Sequence, residues 1–188
     1  MPAAVRKSAL LIVAALTVAY PVLIWFGMGK VAPAWLALLL VVVAGLRALA
    51  TRQPIWLVAA FGGLLLAAAA TFGNNALPLK FYPVLVNAVL LAVFAISLRH
   101  PPSAIERLAR LQEPDLPEAG VRYTRRVTQV WCGFFIVNGG IALFTALWAS
   151  DAMWALYNGL IAYLLMGLLF AGEWLLRRHV RAAQASQA

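Results

Sequence analysis

Acidic side chains are scarce in this 188-residue chain, six in all, histidines number two, and Cys132 is the sole cysteine. One cysteine excludes an intrachain disulfide and any cysteine cage around zinc or an iron–sulfur cluster, so redox compartment cannot be inferred from it. Charged residues make up 11% of the chain, where a soluble domain carries roughly 25%. That deficit, with 64% hydrophobic residues and a mean hydropathy of +0.89, excludes a water-soluble globule. Catalytic signatures are missing as well. There is no H-E-x-x-H, no His followed four residues later by Asp, no Asp-rich pair for a diphosphate-bound magnesium and no Gly-rich phosphate loop. The acid–base inventory is Glu106, Glu113, Asp115, Glu118, Asp151, Glu173, His100 and His179, which form no recognised cluster. No catalytic residue, metal site or cofactor is therefore assigned.

What the chain does have is long uncharged runs: Ser8 to Gly29, Val31 to Leu46, Gln53 to Leu79, Phe81 to Leu98, Val127 to Ser150 and Ala152 to Gly172. A hydrocarbon core about 30 Å thick needs about 20 helical residues, and these runs lack strand-like alternation. The expected fold is all-α, a polytopic integral membrane bundle of six transmembrane helices at about 9–27, 34–50, 55–72, 80–98, 127–149 and 153–176. With both termini inside, 13 of the 15 basic residues are cytoplasmic and only Lys30 and Lys80 lie outside. Arg47 interrupts the second run and can snorkel to the interface. Were that segment only to dip into the bilayer, five spans would give a 12 to 3 split. Six is preferred because Arg6 and Lys7 directly precede the first span. Trp25, Trp35, Trp148 and Trp154 then mark the outer boundary, and Trp56, Trp131 and Trp174 the inner one. A cleavable leader ending near Val18-Ala19 is the competing reading of the N-terminus, but the apolar run continues through Leu23 to Phe26, as in a retained anchor. Tyr20-Pro21-Val22-Leu23 is echoed by Tyr82-Pro83-Val84-Leu85. An inverted repeat would put the copies at opposite depths, whereas this topology puts both in the outer half.

One connection is long, the inner segment from Arg99 to Arg126. Pro101-Pro102 ends the fourth helix, and Ser103 with Glu106 forms an S-x-x-E capping box that starts a short amphipathic helix at about 103–112. Ile105, Leu108 and Leu111 share one side of it, and Arg107 and Arg110 the other. Pro114 and Pro117 precede a second basic cluster, Arg122, Arg125 and Arg126. The segment reads either as a membrane-hugging connector or as a docking surface for a partner protein or an acidic headgroup. The net charge of +9 is what membrane insertion produces and does not indicate nucleic-acid binding.

Polar groups within the spans are mostly amides, Asn87, Asn138 and Asn158. They read as interhelical glue or as the lining of a polar path. Gly133, Gly139 and Gly140 offer a small-residue face beside Asn138. Glu173 is the single acid within a span. It pairs with Arg177 one turn on, pairs with Arg47 across helices, or touches substrate. Asn74, Asn75 and Lys80 read as an outer, anion-facing lip or as a turn with an interfacial lysine.

Several features together carry a family resemblance: Pro21 to Lys30, Phe72-x-Asn74, Lys80-x-x-Pro83, Ile105-Glu106-Arg107-Leu108 through Leu116-Pro117, Trp131, Phe134-Phe135, Gly139, Ala142, Trp148 and Trp154-x-x-Tyr157-Asn158-Gly159. In order and spacing they resemble the intracellular septation protein A (YciB/IspZ) type of small bacterial inner-membrane protein. The stretch Ile105 to Trp174 is more similar still to uncharacterised membrane proteins encoded beside aryl-polyene or xanthomonadin-type pigment genes. Asn158 departs from the septation-type pattern, which tends to a basic residue there, so a role in division does not carry over. The resemblance implies a multi-pass protein of the bacterial cytoplasmic membrane, linked to cell-envelope maintenance or to pigment-lipid assembly, with no catalytic residues to transfer. Three functions follow in order. The first is a non-catalytic component that assists envelope or aryl-polyene-type biosynthesis through its basic loop. The second is a carrier or flippase for a lipid-like substrate along Asn87, Asn138 and Glu173. The third is an enzyme at the inner face using His100, Glu173 or His179. Expected partners are membrane lipids and cytosolic or membrane biosynthetic and envelope proteins, with a homo-oligomer left open.

Overall fold

The computed structural model describes residues 15, 19–28, 30–51 and 54–185, and gives the backbone alone at 47–51, 54–56, 176 and 178–185. Among them there are helices and turns and no strand. A first helical segment, α1, covers 19–27. The start of the expected first span, with Arg6 and Lys7, lies outside the described residues, as does Arg52. There follow α2 (Pro33–Thr51), α3 (Pro54–Phe72), a short α4 (Leu77–Lys80), α5 (Tyr82–Arg99), α6 (Ala104–Arg110) and α7 (Glu118–Trp148). After Ser150 come α8 (Asp151–Leu156), a widened π turn (Tyr157–Ile161) and α9 (Ala162–Ala185), in one continuous rod.

Prolines punctuate the first two thirds: Pro33 and Pro54 open their helices, and Pro78 and Pro83 sit in first turns, where the missing N–H costs nothing. No proline follows Pro117, so nothing breaks α7, which starts at Glu118 and not at 127. At 31 residues it is about 46 Å long, well beyond a hydrocarbon core of about 30 Å. Three stretches, Leu77–Arg99, Glu118–Trp148 and Asp151–Leu175, are long and apolar enough to cross a membrane. Their outer faces present Ile96, Ile136, Val137, Phe144, Leu164 and Leu168 unburied. So broad an apolar surface is foreign to a monomer dissolved in water.

The helices close on two cores. At the end formed by the α1–α2 loop, the α3–α4 turn and the start of α8, Trp154 is 0% exposed among Tyr20, Ile24, Leu36, Leu40, Leu79 and Tyr82. The two Tyr-Pro-Val-Leu copies meet here. The Tyr20 and Tyr82 rings lie edge to face at 5.1 Å, and the Tyr20 hydroxyl donates to the Leu79 carbonyl at 3.0 Å. Towards the opposite end, Val127, Trp131 and Phe135 pack with Leu90, Phe94 and Met166. Between the cores, α5 and α7 approach so closely that a Cβ on Gly139 would meet the Asn87 Cβ at 3.1 Å, whereas one on Gly133 or Gly140 would meet nothing within 4 Å. The small-residue face expected beside Asn138 therefore narrows to Gly139.

Candidate functional site

Three polar assemblies are built into this frame. The first is a directed chain of buried hydrogen bonds. The Tyr157 hydroxyl donates to Asn138 Oδ1 at 2.9 Å, Asn138 Nδ2 donates to Asn87 Oδ1 at 3.0 Å, and Asn87 Nδ2 donates to the Pro83 carbonyl at 2.8 Å. Asn158 is separate. Its amide donates to Thr145 Oγ1 at 3.2 Å and to the Trp154 carbonyl at 2.9 Å. Tyr157 and Asn158 occupy the π turn, where the Ala162 N–H bonds to the Tyr157 carbonyl. Such turns are rare and concentrate at functional positions. Each amide uses its polarity on a neighbouring helix or its own backbone, as buried amides in apolar bundles do. Glu173 takes no part in this chain.

The second assembly knots the α4–α8 end. Lys80, only 6% exposed, pairs with Asp151 at 3.1 Å and lies 5.9 Å from the centroid of the Trp154 ring, while Trp154 Nε1 donates to the Lys80 carbonyl at 3.1 Å. Lys80 is thus folded under Trp154 with its charge on Asp151, and is no open lip. Asn74 and Asn75 are exposed and shape the turn before it. Asn74 takes the left-handed conformation (φ 44°), and Asn75 Oδ1 accepts from the Leu77 N–H at 2.9 Å. A shallow groove runs between this turn and the α1–α2 loop, past Lys30 and Leu36.

The third assembly is the connector. Ser103 is the N-cap of α6, and its N–H donates to Glu106 Oε2 at 3.2 Å. The next two N–H groups, orphaned at any helix start, find hydroxyls on other helices: Ala104 donates to Ser97 Oγ on α5 at 2.9 Å, and Ile105 to Thr128 Oγ1 on α7 at 3.4 Å. Glu106 is buried and takes a forked pair of bonds from Arg110, at 3.0 and 2.9 Å from Nε and Nη2. Arg110 also donates to the Pro114 carbonyl at 2.9 Å, and Arg107 to the Pro102 carbonyl at 2.9 Å. Both arginines therefore brace the connector. Arg122 reaches Glu118 at 3.4 Å across an exposed turn, and Arg125 and Arg126 project outward. Of the expected apolar side, Ile105 packs inward while Leu108 and Leu111 face out.

Beneath α6 lies a cleft of about 170 Å³ between α6, the first turns of α7 and α9. Ala109, Val127, Trp131 and Phe170 form its apolar wall, and Glu113, Tyr123, Glu173 and Arg177 line its polar part. The Trp131 and Phe170 rings meet at a tilt of 55°, their centroids 4.6 Å apart. The Tyr123 hydroxyl makes long bonds to the Glu173 carbonyl (3.4 Å) and to Glu173 Oε1 (3.5 Å). Glu173 and Arg177 form no ion pair with each other, contrary to the expected one-turn bridge. The alternative partner, the Arg47 side chain, lies outside the described residues.

Sequence reasoning missed Tyr157, Ser97 and Thr128 as partners and Tyr123 as the neighbour of Glu173. A hydroxyl in an apolar run carries no signal of which helix it will meet. Among the described residues no group of three or more His, Cys, Asp or Glu could hold a metal ion. No family model matches the sequence, and neither a curated protein nor a solved structure matches it.

Proposed function

We propose that this chain is a six-span protein of the bacterial cytoplasmic membrane, with both ends in the cytosol. In this reading it assists cell-envelope or aryl-polyene-type lipid and pigment biosynthesis without catalysing a step, and it contacts partner proteins through the basic face of its connector. The bilayer placement draws support from the three long apolar helices and their unburied outer faces, and the orientation from the cytoplasmic bias of arginine. The biosynthetic link rests on the family resemblance. The docking role rests on one observation: the connector is a built element, held by hydroxyls from α5 and α7 and by the Glu106–Arg110 fork, with Arg125 and Arg126 left on its outside. A rigid mount with outward cations is what an acidic protein surface recognises. Replacing Arg122, Arg125 and Arg126 by Ala is expected to abolish recovery of cross-linked partner proteins from native membranes while insertion and thermal stability stay unchanged. Undiminished recovery would overturn the docking role.

A further inference from the structure

The cleft under α6 has a use that partner docking does not absorb. Val127, Trp131 and Phe170 of its apolar wall belong to stretches that can cross a bilayer, and its polar residues sit at the ends of those stretches, Tyr123 in the second turn of Glu118–Trp148 and Glu173 two residues before the end of Asp151–Leu175, with Arg177 just beyond. On the bilayer placement proposed above, that level is the boundary between hydrocarbon and headgroups. The volume, about 170 Å³, is between five and six times the roughly 30 Å³ share of one liquid water. It therefore suits a headgroup and the first methylenes, not a whole pigment. Glu173 and Arg177 line the same space with opposite charges that are not spent on one another. With Glu113 also on the wall, two carboxylates and one guanidinium line the cleft, a set that complements a ligand whose ammonium accompanies its phosphate and disfavours a purely anionic one.

We infer that this cleft binds the headgroup of a zwitterionic, amine-bearing phospholipid, its phosphate on Arg177 and its ammonium on Glu173, with the chain origin against Val127, Trp131 and Phe170. A primary ammonium donates hydrogen bonds to a carboxylate, which a quaternary one cannot. The apolar wall selects lipid over a free, water-soluble headgroup.

The test uses full-length protein exchanged into bilayers holding equal amounts of phosphatidylethanolamine, phosphatidylglycerol and phosphatidylcholine, with retained lipid read by native mass spectrometry. Phosphatidylethanolamine should be retained over both others, and Glu173→Gln and Arg177→Gln should each cut that preference about three- to tenfold, the net scale of one hydrogen bond at a partly exposed site. Arg177→Gln, at a partly exposed site, keeps the test open should Glu173→Gln fail to fold. Soluble glycerophosphoethanolamine at matched concentration should not displace the lipid. Equal retention of phosphatidylglycerol or phosphatidylcholine, unchanged preference in both variants, or displacement by the soluble headgroup would each overturn the assignment. Failure of the arginine-cluster experiment above would leave it standing, because those arginines do not line the cleft.

Discussion

Asn138 carries two of the three bonds in the buried chain from Tyr157 to Pro83, so its loss strands two partners at once. Asn138→Leu is expected to cost about 1–3 kcal/mol, the penalty for orphaned buried polar groups, read by unfolding in mild detergent. A double-mutant cycle with Asn87→Leu should return a coupling of about 0.6–1.7 kcal/mol, the range for hydrogen bonds between membrane helices. A coupling of zero would mean that the two amides act independently. Lys80 makes a companion case. Asp151→Ala leaves a buried cation with only the Trp154 ring beside it and should destabilise, while adding Lys80→Met should restore part of the loss. The three asparagines stand out in the sequence because an amide in an apolar run must find a partner. Lys80 does not, since a lysine beside aromatics reads equally well as an interfacial anchor, and only the α4 turn brings it under Trp154.

At the scale of elements, α6 depends on its neighbours more than on its own length. Seven residues form no stable helix alone, yet α6 has the Glu106 half of a capping box, a buried carboxylate fork and two borrowed hydroxyls. Ser97→Ala with Thr128→Val should raise amide exchange across Ala104–Arg107 by about tenfold for each 1.4 kcal/mol removed, with α5 and α7 unaffected. Exchange at the wild-type rate would show that these hydroxyls do not hold the helix. The start of α6 was legible, because Ser103 and Glu106 are a chemical signature read over four residues. The start of α7 was not. A charged residue marks where an apolar run ends, but a helix does not stop there: with no proline after Pro117, the backbone hydrogen bonds of α7 run on through the polar zone. The π turn was hidden too, for an Asn-Gly pair in an apolar run reads as packing, and its Tyr157 and Asn158 side chains bond to residues of another helix, Asn138 and Thr145.

For the whole molecule, the all-helical class seen among the described residues is legible in the long uncharged runs without strand-like alternation, since a chain in lipid must pair its backbone groups within helices or a closed barrel. Reporter fusions at the two ends are expected to give cytosolic signals at both, and a fusion in the loop around Lys30 an external one. Opposite locations for the ends would reduce the crossings to an odd number. The cleft was not legible as a space, because its walls come from segments as far apart as Ile105 and Arg177. What the sequence does carry is the unusual carboxyl group of Glu173 near the end of a span.

Trp154 is the keystone of the first core, yet ribosomal synthesis supplies it late. Tyr20, Leu79 and Lys80 wait for an indole encoded more than 70 positions after the lysine. Until it is made, the first core lacks its largest buried side chain. A protein truncated at Ala149 should reach the membrane but be cleared rapidly by quality-control proteases, and co-expression of the missing C-terminal segment should restore its lifetime.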